Sequence, residues 1–118
     1  MLAFTTNEVA ALTGLEEKVI RKDVEQGILE VTSPPRFAVP ALIYFLARAV
    51  FTFTLAPRDR RRLYRLISDA LATGESRLDL GPGWSLDVGN LEAKLRERVA
   101  AFEAWKNGVV VDEAILGG

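Results

Sequence analysis

The 118-residue sequence contains no cysteine and no histidine. Their absence excludes Cys/His metal sites, a cysteine nucleophile, a Ser-His-Asp triad and a histidine general base. It also excludes a disulfide framework, so nothing in the chain points to an oxidising compartment. Aromatic residues are sparse, at 8%. Long apolar runs are missing as well: the most apolar stretch, Ala41 to Ala56, has 16 residues and carries Arg48 within it. A membrane span needs about 20 apolar residues, so this stretch reads as a buried helix and no membrane association is expected. No basic segment leads into an apolar run at the start, so no signal peptide is expected and the expected location is the cytoplasm.

What is present is the composition of one globular domain, 49% hydrophobic and 26% charged. The net charge of -1 conceals a division. Residues 1–65 hold ten Lys/Arg against seven Asp/Glu, whereas residues 66–118 hold five against nine. The N-terminal part is therefore suited to an anionic partner while the whole chain stays near neutral.

Helix signals begin at once. Thr5 with Glu8 three residues later forms a capping box, and Phe4 with Val9 forms a hydrophobic staple. The first helix is predicted from Thr6 to Thr13, ended by Gly14. A second is predicted from Glu16 to Gln26, ended by Gly27. Val19, Ile20 and Val24 lie on its inner side, and Glu17, Lys18, Arg21 and Lys22 face outward. Two short helices split by a tight glycine turn make a helix-turn-helix candidate. The β-prone runs Ile28–Val31 and Phe37–Val39 follow, and they suggest a small wing carrying Arg36.

Pro40 can open a helix from Ala41 to Leu55, apolar nearly all round, which must be covered by this chain or by a second copy. The next helix, Arg58 to Ala72, gathers Leu63, Leu66, Ile67, Ala70 and Leu71 on one side. Arg58, Arg61, Arg62 and Arg65 fall at i, i+3, i+4 and i+7 on the other. Residues 76–88 alternate around Gly81-Pro82-Gly83 and read as a β-hairpin. Asn90 is the expected N-cap of a last helix, Leu91 to Lys106, with an apolar stripe of Leu91, Leu95, Val99, Phe102 and Trp105. Val109–Val111 reads as a final short strand. Trp84 and Trp105 read as packing residues.

The N-terminal pattern resembles the winged helix-turn-helix of MerR-type regulators and their excisionase-like relatives. The residues that carry the likeness are Glu8-Val9-Ala10, Gly14-Leu15, Ile20-Arg21 and Gly27-Ile28-Leu29. Glu16 stands where that family usually places a Ser or Thr cap, and Lys22-Asp23 replaces a common aromatic pair. The resemblance covers the first third of the chain. It implies that the second helix enters the major groove with Lys18, Arg21 and Lys22 toward DNA and Arg36 as a wing contact. The arginine stripe at 58, 61, 62 and 65 has two readings: a grip on phosphates, or a solvated face with Arg65 and Asp69 paired.

At the other end, Glu113-Ala114-Ile115-Leu116-Gly117-Gly118 resembles the opening of a C-terminal region found in VapB-type antitoxins, although the family's proline is absent. The resemblance implies an operator-binding homodimer whose C-terminal part contacts a PIN-type toxin nuclease, and a chain that is a piece of a longer protein. An enzyme is not expected. Asp79 and Asp87 sit on facing strands, and paired carboxylates can bind Mg²⁺ or act as acid and base. No further ligand, phosphate loop or nucleophile is spaced to join them, and no cofactor is expected.

The sequence therefore predicts a mainly α fold: a winged helix-turn-helix over 1–39, helices and a β-hairpin for core and dimerisation over 40–108, and the start of an antitoxin-type region over 109–118. The function implied is a DNA-binding, autoregulating antitoxin. The alternative is a dimeric protein-interaction scaffold that presents a toxin-binding tail without specific DNA binding.

Overall fold

The computed structural model describes residues 3–29, 31–32, 34–50 and 55–106. Among them the chain is mainly helical. It runs α1 (Thr6–Thr13), α2 (Glu17–Glu25), α3 (Val39–Val50), α4 (Pro57–Thr73), β1 (Arg77–Gly81), β2 (Trp84–Asp87) and α5 (Val88–Lys106). The expected strand Val109–Val111 and the antitoxin-like tail lie outside the described residues, as do residues 51–54 and the Trp105 side chain.

The first helix forms as its caps dictate. Glu8 N–H donates to Thr5 Oγ1 (3.2 Å) and Thr5 N–H to Glu8 Oε1 (2.9 Å), which satisfies two of the free donors at the helix start. Gly14 ends it at φ 80°, the left-handed region where a side chain would be strained.

The segment after α2 departs from expectation. Ile28–Val31 and Phe37–Val39 do not pair with each other among the described residues. Phe37 instead forms an antiparallel bridge with Phe4, with both N–H···O bonds at 2.8 Å. Ile28 and Leu29 are buried, and Val39 opens α3. Burial of three large side chains outweighs the β propensity of the two runs, and among the described residues Phe37 pairs with the start of the chain instead of with Ile28–Val31. Phe37 also meets Phe45 of α3 edge-on, with ring centroids 6.0 Å apart.

α3 is the centre of the molecule. Ala41 through Ala47 are all buried, covered by α1, α4 and α5 of the same chain. The described part of this helix thus needs no second copy to hide it. From α4, Leu63, Ile67 and Ala70 face the core, and from α5, Leu91 and Leu95 do so. One apolar cluster runs from Phe4 to Leu95 through both predicted segments.

β1 and β2 form the expected hairpin, in the register Arg77↔Asp87, Leu78↔Leu86 and Asp79↔Ser85. Three corrections follow. Asp79 faces Ser85 and Asp87 faces Arg77, so the two carboxylates do not form a pair. Asp87, not Asn90, caps α5: its Oδ1 accepts the Asn90 N–H at 2.9 Å, and the helix starts at Val88. A carboxylate at a helix N-terminus is favoured by the helix dipole as well as by the hydrogen bond. Trp84 is 41% exposed and so is not the core residue expected.

The substitution Phe37→Ala is expected to cost about 3–5 kcal/mol of stability, since a ring at 1% exposure is lost together with the closure of the loop. Urea unfolding measures it; a cost under about 1 kcal/mol would show that the Phe4–Phe37 contact does not hold the segment.

Candidate nucleic-acid interface

α1 and α2 are joined by Gly14-Leu15-Glu16 only, a turn of helix-turn-helix length. α2 is divided sharply into two faces. Lys18, Arg21, Lys22 and Glu25 are exposed at i, i+3, i+4 and i+7, while Ile20 and Asp23 on the opposite side are fully buried. The outward cations predicted from the sequence therefore share one face, and Glu25 shares it with them.

That face carries its own counter-charges. Arg21 Nη2 lies 2.5 Å from Glu17 Oε1, and Lys18 Nζ lies 3.9 Å from Glu16. Arg21 is thus held along α2 by an exposed pair, which is weak in water and easily exchanged for a stronger anion.

The buried face holds what sequence reading missed. Asp23 accepts a hydrogen bond from the Tyr44 hydroxyl at 2.7 Å on Oδ2. Arg60 Nε stands 3.3 Å from Oδ1, and Arg48 Nη1 3.6 Å from Oδ2. Arg60 also donates to the Leu55 carbonyl and to Gln26 Oε1, so its guanidinium ties α2 to the start of α4. Asp23 and Arg60 are both taken out of water, and such a pair persists because either charge left alone would be far costlier. Burial, reinforced by the hydrogen bond and the charge of Asp23, pushes the Tyr44 phenol well above the ordinary tyrosine range. A second tie comes from α5, where Arg98 Nη1 donates to the Leu12 carbonyl at 2.8 Å near the C-terminus of α1.

The remaining predicted cations separate. Arg36 is exposed, with Nη1 turned back to the Pro35 carbonyl at 2.9 Å. Arg58 is exposed in the first turn of α4. Arg61 reaches the C-terminal end of α2, where Nη1 donates to the Gln26 carbonyl at 3.1 Å. Arg65 joins it beside the Gly27–Leu29 turn, whereas Arg62 points to the hairpin side with Asp59, Leu80 and Trp84. The stripe is one face in sequence and two surroundings in space. Among the described residues, no group of three or more acidic residues could hold a metal ion.

A signal for the buried cluster was present. Asp23 falls three residues after Ile20 on the inner side of α2, Arg60 three before Leu63 on the inner side of α4, and Arg48 within the most apolar helix. A charge on an apolar stripe implies a partner, and here three such charges answer one another.

Asp23→Ala should lose about 3–5 kcal/mol in urea unfolding, because Arg60 is left buried without its carboxylate, while Asp23→Asn should lose less. Equal losses for the two would rule out charge pairing as the cause. The raised phenol gives a pH dependence of defined sign. The folded state holds the Tyr44 proton more tightly than the unfolded chain does, so this contribution is complete below about pH 10 and falls as the pH rises further. Stability should therefore fall progressively as the pH rises above about 10, and Tyr44→Phe should flatten that fall; an unchanged slope would contradict it.

Comparison with protein-family models, with curated proteins and with solved structures finds no match for this chain.

Proposed function

We propose that this chain is a DNA-binding transcriptional regulator of antitoxin type, with α2 as the helix that reads the major groove. The observation that supports this reading most is the division of α2, with Lys18, Arg21 and Lys22 on one exposed face and Ile20 and Asp23 fixed behind them. A recognition helix needs long polar side chains free to reach base edges and a backbone that does not yield. Arg36, Arg58, Arg61 and Arg65 supply further phosphate contacts, which add affinity without sequence information, whereas Arg62 on the hairpin side takes no part.

The regulator works as a homodimer, whose two α2 helices would stand about 34 Å apart on a palindromic operator. A groove of about 210 Å³ supports a second copy: Phe4, Val39, Leu95 and Val99 line it, with Glu92 and Arg96 beside them. Glu92 and Arg96 lie one turn apart on α5, so a two-fold antiparallel pairing sets each against the opposite charge of the other copy. The segment at 109–118 carries the contact to a PIN-type toxin on the strength of its sequence likeness. Among the described residues, no helix is long and apolar enough to cross a membrane.

One observation favours the scaffold reading instead. Glu16, Glu17 and Glu25 match Lys18, Arg21 and Lys22 in number on and around α2, which leaves this helix without net positive charge.

An anisotropy titration against the DNA upstream of its own gene, at two salt concentrations, separates the two. The regulator binds that DNA more tightly than random duplex and loses affinity as salt rises. Arg21→Ala should then weaken binding about tenfold or more, and Glu17→Gln should tighten it several-fold by freeing Arg21 and removing a charge that repels phosphate. Equal affinity for both duplexes, unmoved by either substitution, would establish the scaffold.

A further inference from the structure

A groove of about 320 Å³ lies between the turn that follows α2 and the exposed side of α4. Gly27, Leu29, Arg61, Tyr64, Arg65 and Ser68 line it, and no carboxylate does among the described residues. We infer that this groove is a binding site for a phosphate group of a DNA strand, held by Arg61, Arg65 and the Ser68 hydroxyl. The inference rests on the reading of the chain as a DNA-binding protein and assigns part of its affinity to a particular place.

Three observations support it. Arg61 is steadied by its bond to the Gln26 carbonyl, which uses one of five guanidinium donors and leaves the rest for an anion. The same bond answers the carbonyl dipoles at the end of α2, which would otherwise repel a phosphate. Ser68 Oγ is buried and has no hydrogen-bond partner among the described residues, a cost that a phosphate oxygen in the groove would remove after a rotation about χ1. Gly27, at φ 69°, has open space where a Cβ would stand, so a ligand can come close to the backbone.

The position fits a strand better than a free ion. The turn at Gly27 follows directly on α2, five residues beyond Lys22, or about 7.5 Å along a helix axis. A helix seated in the major groove brings its C-terminal end to the phosphates that border that groove. Arg62, on the hairpin side of α4 beside Asp59, has no part in the site.

The test uses the full chain with two duplexes, one from upstream of its own gene and one of random sequence, titrated over a range of salt. Arg61→Ala and Arg65→Ala should each weaken binding to both duplexes by the same factor and lower the salt slope by about 1. Ser68→Ala should weaken both several-fold with the slope unchanged, and Arg62→Ala should change neither. If Arg61→Ala and Arg65→Ala leave affinity and slope untouched while Arg21→Ala lowers affinity, the groove is not a strand contact and the DNA reading stands. If neither Arg21→Ala nor the groove variants alter binding, the DNA reading itself falls. Inorganic phosphate is then added to the labelled protein without DNA. Saturable shifts of the Gly27 and Ser68 amides, together with DNA binding unmoved by the groove variants, would reassign the site to a free anion.

Discussion

A carboxylate with no access to water organises the whole molecule. Asp23 must be met by groups of opposite charge, and those groups come from α3 and α4, helices far from it in the chain. Hydrophobic burial alone would let α2 slide or turn against α3 at small cost, because apolar contacts are not directional. A buried ion pair with a phenol hydrogen bond permits one placement. The stability gained by such a cluster over an apolar one is small or negative. Its effect is on orientation, and the helix it orients is the one with the cationic outer face.

The same logic explains how the small first segment holds its shape. α1 and α2 have 8 and 9 residues, too short to be stable as isolated helices. They are fixed from four directions: by the capping box at the start of α1, by Arg98 near its end, by the Asp23 cluster behind α2, and by the Phe4–Phe37 bridge at the base. Three of these four ties run to residues beyond the two helices.

Local chemistry was the legible part of this sequence. The capping box at Thr5, the glycine stop at Gly14 and the hairpin turn at Gly81-Pro82-Gly83 are short-range signals, and the elements they bound lie within a few residues of where the sequence puts them. The apolar faces of α2 and α4 were legible too, as was the exposure of Lys18, Arg21 and Lys22. What could not be read depended on distance. Phe37 pairs with Phe4 and meets Phe45 of α3 edge-on, both contacts distant along the chain, and no local pattern records them. The four α4 arginines look equivalent along the helix and differ only in what α2 and the hairpin place beside them. Asp87 took the cap because β2 ends there, which a sequence-based choice of Asn90 could not foresee.

The bond between Arg98 and the Leu12 carbonyl spans 86 residues of chain. Synthesis proceeds from the N-terminus, so α1 leaves the ribosome long before the side chain that braces it exists. Asp23 waits in the same way for Arg48 and then Arg60. α1 and α2 are therefore made well before the residues that brace them, and the outward face of α2 acquires its fixed bearing only once α3, α4 and α5 have emerged.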